Sequence, residues 1–198
     1  MKERPILFST EMVRAILEGR KTQTRSVVKP QPPEGFAIVP RGDIEGWMQL
    51  RVRAVSHYPV TVTNVRCPYG VPGDRLWVRE TWWMHDDPSA FDPNDGNVTD
   101  FDGRTRVVGY AASMDFDSVR IAKEYGARRR SSIHMPRWAS RITLEVTDVR
   151  VERLRDISDA DGVAEGYQSA GDFLNGEWAK SVGMDCWVWA ITFKVVKP

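Results

Sequence analysis

The residues best equipped for chemistry in this 198-residue chain are Lys21, Thr24, Arg25, Arg79, Glu80, Arg137 and Glu165, with the rings of Trp82 and Trp138. Lys21, Thr24 and Arg25 belong to one polar run, Arg20-Lys21-Thr22-Gln23-Thr24-Arg25, placed directly after an amphipathic stretch. A loop held by a rigid element is where binding and catalytic groups concentrate. Arg79 and Glu80 either read a base edge or a phosphate, or simply pair within the fold. Trp82 and Trp138 offer flat faces on which a nucleobase stacks, worth about 1–3 kcal/mol per base. A plainer assignment competes for the same residues: a salt bridge from Lys21 to Glu165 joining two helix ends, and a loop-capping hydroxyl at Thr24.

Other chemistries lack their residues. The chain has no Walker A lysine loop, no Gly-x-Ser-x-Gly elbow and no dinucleotide-binding glycine fingerprint. His57, His85 and His134 show no metal-ligand spacing with Cys67 or Cys186, so neither metal nor cofactor is expected. Two cysteines cannot build a disulfide framework. No run approaches the ~20 apolar residues of a membrane span, and Pro5 to Phe8 is too short for a secretory signal core. A cytoplasmic protein with no membrane partner is the expectation.

Charge is balanced overall but not locally. There are 28 Lys+Arg against 27 Asp+Glu, with 41% hydrophobic residues, as in an ordinary soluble domain. Asp86 to Asp102 holds six acids and no Lys or Arg, whereas Arg128 to Arg153 holds seven Arg against three acids. Such a basic stripe is either a phosphate-neutralising surface or a solvated face. Eight Trp serve equally in cores and as stacking platforms.

The elements that must position these groups follow from spacing. A strand over Pro5 to Phe8 feeds a helix from Thr10 to Glu18, capped by Ser9 or Thr10 and stopped by Gly19. Met12, Val13, Ile16 and Leu17 share its inner face. The polar run to Arg25 reads as a loop, and Lys29 to Pro33 as an extended connector. Strands are expected at 46–55, 58–66, 75–82, 107–112, 140–151 and 186–196, with an acidic loop at 86–103. Along the last strand, Trp187, Trp189, Ile191, Phe193 and Val195 would line one face. Helices are expected at 117–125, at 158–165 with Ser158 as cap, and at 171–181. Strands outnumber helices without βαβ alternation, which indicates an α+β fold built on a mixed or antiparallel barrel with a few short helices.

Three blocks resemble the ASCH domain family, which is PUA-like. The first is Gly19-Arg20-Lys21-Thr22-x-Thr24-Arg25 after an N-terminal helix; the second is Pro72-Gly73-Asp74-Arg75-Leu76-Trp77-Val78-Arg79-Glu80. The third runs from Ile157 to Gly166 and on to the strand ending Trp189-Ala-Ile-Thr-Phe, and His134 to Arg141 is typical of the phage and prophage branch. The resemblance implies one ASCH domain over 1–198, with insertions at about 31–64 and 84–130 where nothing is matched. Small bacterial members hydrolyse N4-acetylcytidine, and others have been assigned RNA binding or RNA cleavage.

Carried over by motif position, the amidohydrolase residues are Lys21, Thr24 and Glu165, with Asp161 as the alternative to Glu165. Arg20, Arg25, Arg79, Glu80, Trp82, Arg137 and Trp138 are the candidate contacts to a modified nucleoside or RNA. Amide hydrolysis needs a nucleophile, a base for its proton and an acid for the departing amine. Thr24 supplies the first. If Lys21 is the base, its pKa must fall from about 10.4 to near 7–8. Desolvation and the neighbours Arg20 and Arg25 push that way, while a carboxylate at Glu165 opposes it. Alternatively, Lys21 stays cationic against an oxyanion and Glu165 moves the protons. The expected activity is removal of an acyl group from N4-acylated cytidine or a related base; the alternatives are a non-catalytic RNA or modified-base module and, third, a ribonuclease.

Overall fold

Alternating apolar residues, Leu76/Val78, Leu144/Val146 and Trp189/Ile191/Phe193, are buried together and form the centre of the molecule. The computed structural model describes every residue except 33–35, 41–46, 53–62, 86–96, 100–104, 125, 197 and 198. In it these residues lie on β6 (Arg75–Arg79), β11 (Thr143–Arg153) and β12 (Trp187–Val196). β11 runs antiparallel between β6 and β12. β1 (Glu3–Leu7) adds parallel to β6, and β2 (Gln23–Val27) adds antiparallel to β12. The resulting five-stranded sheet has the order β1-β6-β11-β12-β2.

Two smaller antiparallel sheets accompany it. β3 (Phe36–Pro40), β4 (Trp47–Val52) and β5 (Thr63–Arg66) form one. The other has the order β10-β7-β9-β8, from β7 (Trp82–His85), β8 (Asn97–Thr99), β9 (Thr105–Tyr110) and β10 (Arg128–Arg130). Helices are few and short: α1 (Thr10–Leu17), α2 (Phe116–Glu124), α3 (Asp159–Ala164), α4 (Ala170–Leu174) and α5 (Glu177–Val182). The fold is therefore α+β. Among the described residues no pairing joins β1 to β2, so the large sheet keeps two edges rather than closing. No described helix is long and apolar enough to cross a membrane.

β12 is buried on both faces at its centre. Trp189, Ile191 and Phe193 join the main core with Ile6, Val13 and Leu144, whereas Val188 joins Leu154, Ile157, Phe173 and Ala179 beneath α3–α5. Val195 departs from the expected inner face and is 47% exposed, because the strand has there run past the core.

Several sequence expectations shift. The polar run is not a loop to Arg25, because β2 already begins at Gln23 and pairs with β12. The strand expected to reach Trp82 stops at Arg79, and Trp82 opens β7 in another sheet. Between them the Glu80 carboxylate is buried against Arg141, which holds the chain where the two sheets part. The helix expected over 171–181 is two helices, broken at Asn175 and Gly176. Of the expected strands, 47–52 and 63–66 are β4 and β5, while residues 46, 53–55 and 58–62 and most of the acidic 86–103 segment, β8 apart, lie outside the described residues.

The short helices are set by local chemistry. Ser9 caps α1 by accepting from the Met12 amide, and Gly19 ends it with φ +74. Ser158 and Asp161 form a reciprocal capping box at the start of α3. Gly162 lets α4 pack closely, since a Cβ there would sit 2.4 Å from the Ala170 nitrogen and 2.4 Å from the Ser169 carbonyl carbon. Both are backbone atoms and cannot rotate aside. Gly162→Ala should therefore destabilise the protein by about 1–3 kcal/mol, lowering Tm by roughly 3–10 °C. Thermal unfolding followed by circular dichroism checks this, and a Tm within a degree of wild type would contradict the close α3–α4 approach.

Candidate functional site

The ends of α1 and α3 are brought together by backbone hydrogen bonds. After Gly19, the amides of Arg20 and Lys21 both donate to the Ala15 carbonyl, at 2.8 and 3.0 Å, folding the chain back onto α1. The Thr22 amide donates to the Ala164 carbonyl at the end of α3, and the Phe193 amide donates to the Thr22 carbonyl. Gly166, at φ +93, passes so close that a Cβ would lie 3.3 Å from that of Ala15 and 3.5 Å from that of Lys21. This junction drives the Lys21 side chain inward.

Inside the junction is a network of buried charge. The Lys21 ammonium donates to Glu165 Oε2 at 2.6 Å, to the Gln23 carbonyl at 2.8 Å and to the Glu165 carbonyl at 3.0 Å. All three of its N–H bonds are thereby used. Arg25 donates from Nη1 to Glu165 Oε1 at 3.1 Å and to Gln23 Oε1 at 2.7 Å, and from Nε to Glu152 Oε1 at 3.1 Å. Arg150 donates to Asp161 at 2.8 Å, and Arg25 Nη2 lies 3.5 Å from the same carboxylate. Three cations, Lys21, Arg25 and Arg150, thus face three carboxylates, Glu152, Asp161 and Glu165. The side chains of Lys21 and Arg25 are 0% exposed and that of Glu165 is 2% exposed.

Burial dominates the titration of the inner pair. It pushes the Glu165 carboxyl above the ordinary glutamate range, with Lys21 and Arg25 pulling the other way. It pushes Lys21 below its ordinary value, with Glu165 opposing. Asp161, nearer solvent, behaves differently: burial raises its pKa, but the hydrogen bonds from Ser158, Arg150 and Gln23 outweigh this and hold it at about 2. Both inner groups are moved toward neutrality, as suits proton transfer near neutral pH.

Glu165 also faces a cavity of about 220 Å³. Residues from both edges of the large sheet line it, Ile6 to Phe8 from the β1 side and Thr24 to Ser26 in β2. The aromatic rings of Phe8, Tyr69, Tyr167, Phe173 and Trp178 supply much of the remaining wall. Tyr167 stands edge-on to Phe173 at 5.2 Å between centroids, and Trp178 tilts against Phe173 at 5.8 Å. Thr24, Arg25 and Ser26 of β2 all line this cavity with Glu165. Thr24 lines the cavity, and its hydroxyl takes no side-chain partner among the described residues. Lys21 does not line it; it stands behind Glu165.

Of the residues singled out in the sequence, Lys21, Thr24, Arg25 and Glu165 are assembled here, together with Asp161. The others are elsewhere. Arg20 points outward to Glu18 and the Gly166 carbonyl. Arg79 donates to the Ser132 carbonyl and Arg137 pairs with Glu3. Glu80 takes a two-pronged bond from Arg141 rather than a ligand. Trp82 is 2% exposed, edge-on to Trp138 at 5.9 Å, so its ring is packed within the protein and has no face for a base. None of these residues lines the cavity. The aromatic walls were missed, because none of these residues sits in a motif: Tyr69 comes from the turn between β5 and β6, and Tyr167, Phe173 and Trp178 reach the site through the packing of the α3–α5 segment.

Comparison with protein-family models, with curated proteins and with solved structures finds no match to this chain. Among the described residues no group of three His, Cys, Asp or Glu is placed to hold a metal ion.

Removing one member of a buried ion pair strands the other, at a cost of about 3–5 kcal/mol, whereas removing both relieves that penalty. Lys21→Met and Glu165→Gln should each destabilise the protein by about that amount. The double variant should cost less than their sum by at least about 1 kcal/mol. Urea unfolding of the four proteins measures the coupling, and strict additivity would contradict the pairing.

Proposed function

We propose that this chain is a PUA-like ASCH-type protein whose cavity binds an N4-acylated cytosine base and removes its acyl group by hydrolysis. The observation that carries the reading is that Thr24, whose hydroxyl has no side-chain partner among the described residues, lines the same aromatic cavity as Glu165. Support for the family comes from the motif blocks. The cavity volume falls below the roughly 300–1,000 Å³ of drug-sized sites, which suits a single planar base between aromatic rings.

The chemistry divides between two side chains. Thr24 Oγ attacks the acyl carbonyl carbon while its proton passes to Glu165. The C–N bond then breaks, and the proton on Glu165 goes to the departing exocyclic amine. Water attacks the acyl-threonine ester, giving its proton to Glu165; the carboxylic acid departs, and Thr24 Oγ takes the proton back. One water is consumed, and the base regains its free amine. Lys21 acts from behind: it orients Glu165 and offsets its charge, with every N–H already committed. Tyr167 keeps its phenol protonated, because burial and the nearby Glu165 and Asp172 charges raise its pKa.

Incubation with N4-acetylcytidine, followed by the absorbance change on deacetylation, tests the reading. Wild-type protein should turn over, and Thr24→Ala should lose about 10³-fold or more of kcat with its Tm preserved. Since Glu165 must be ionised to accept the proton, kcat/KM should fall on acidification through a pKa above the ordinary 4.5 of glutamate. An inert wild type at every pH would overturn the hydrolase. Base binding without turnover would leave the cavity as a binding module.

A further inference from the structure

Arg25 binds Glu165 and also a second carboxylate, Glu152, which has no part in the hydrolysis as written above. The sheet register explains how they meet. Ala190 of β12 pairs with Arg25 of β2 on one side and with Arg150 of β11 on the other, and Glu152 follows two positions along β11. Only one strand separates β2 from β11, a span of about 10 Å at the usual strand spacing, within reach of an arginine. The guanidinium ends between the two carboxylates. Its Nε and Nη2 both donate to Glu152 Oε1, and its Nη1 donates to Glu165 Oε1 at 3.1 Å.

A guanidinium is a rigid planar fork, so a carboxylate on one edge fixes where its remaining donors point. With Glu152 on the Nε/Nη2 edge, Nη1 is aimed at Gln23 and Glu165. The same contact divides the positive charge of Arg25 between two carboxylates. Were Glu152 neutral, that charge would act on Glu165 alone, beside the charge of Lys21, and a carboxylate so held is a poor proton acceptor. Glu152 does not line the aromatic cavity, so it acts only through Arg25. We infer that Glu152 is a positioning residue of this site, which fixes the Arg25 fork and takes up part of its charge so that Glu165 can exchange a proton with a bound substrate. The consequence for turnover rests on the hydrolase reading; the effect on Glu165 does not. The other charged or titratable groups around Glu165 among the described residues are Lys21 from the turn after α1, Asp161 of α3 with its partner Arg150 of β11, and the Tyr167 phenol with Asp172 of α4 beyond it.

Glu152→Gln tests this, because it leaves an oxygen for Arg25 and removes only the charge. The titration of the Glu165 carboxyl is followed by NMR in 13C-labelled protein, with its signal assigned through the backbone. In the variant its midpoint should fall by roughly one pH unit, the low end of what a neighbouring charge does. The acid limb of kcat/KM for N4-acetylcytidine should fall with it, and KM should stay unchanged. A Glu165 midpoint that does not move overturns the inference even if Tm drops, since a merely structural ion pair lowers Tm alone. An inert wild type removes the hydrolase and leaves the titration to decide on Glu152. If the midpoint falls while the acid limb stays, Glu152 acts on Glu165 as inferred and Glu165 is not the base. Should thermal melts show that Glu152→Gln does not fold, Glu152→Asp, one methylene shorter, carries the comparison: a smaller fall in the midpoint sustains the inference, and none overturns it.

Discussion

The structure depends on one buried carboxylate. Glu165 lies at the end of α3, almost wholly out of water, and an ionised carboxylate there is costly by several kcal/mol unless cations meet it. Lys21 arrives from the turn after α1, and Arg25 from β2, one on each carboxylate oxygen. Three elements separated by up to 144 positions in the chain are therefore obliged to converge. Such pairs contribute little net stability compared with apolar packing. What the arrangement contributes is position, a carboxylate that cannot turn away from the cavity wall.

That fixed point bears on the geometry of the sheet. Among the described residues both edges of the five-stranded sheet are unpaired, and residues from both sides line the same cavity. A strand placed between them would abolish the hollow. Instead α3–α5 pack over the β12–β2 side, with Phe173 and Ala179 in a core shared with Val188. The same helices supply Tyr167, Phe173 and Trp178 to the cavity. The same segment thus serves packing and site together, Phe173 in both, and the close passage at Gly162 and Gly166 brings these helices of five or six residues near enough to do so.

Local chemistry was readable where it is local. Ser9, Gly19 and the Ser158 box mark helix ends through interactions spanning three or four residues, and the structure places those ends within a residue or two of expectation. The convergence of the Lys21 turn with Glu165 was also legible, through a motif rather than through periodicity. Trp82 and Glu80 were not, because nothing in Arg79-Glu80-Thr81-Trp82 announces that the chain leaves one sheet for another. That exit depends on Arg141, sixty-one positions away. Lys21, Gln23 and Arg25 read as a polar loop, yet Gln23 and Arg25 lie in β2 and all three are buried, because partners from β11 and the end of α3 satisfy the charges.

The sequence left open whether Lys21 or Glu165 would carry protons in the proposed hydrolysis, and the surroundings of each group favour the carboxylate. Two cations stand next to Lys21 in the chain, but Arg20 turns outward to Glu18, and Arg25 spends its donors on Glu152, Gln23 and Glu165. Neither is left to set the lysine's charge alone. The ammonium itself has three acceptors at 2.6–3.0 Å and no place on the cavity wall. A proton on Lys21 can reach a bound base only by way of Glu165. Glu165 touches the hollow, is held on both oxygens, and is shifted by burial toward the pH at which a carboxyl both accepts and returns a proton. In the proposed hydrolysis Lys21 is therefore assigned to positioning and the proton transfer to Thr24 and Glu165, which line one cavity.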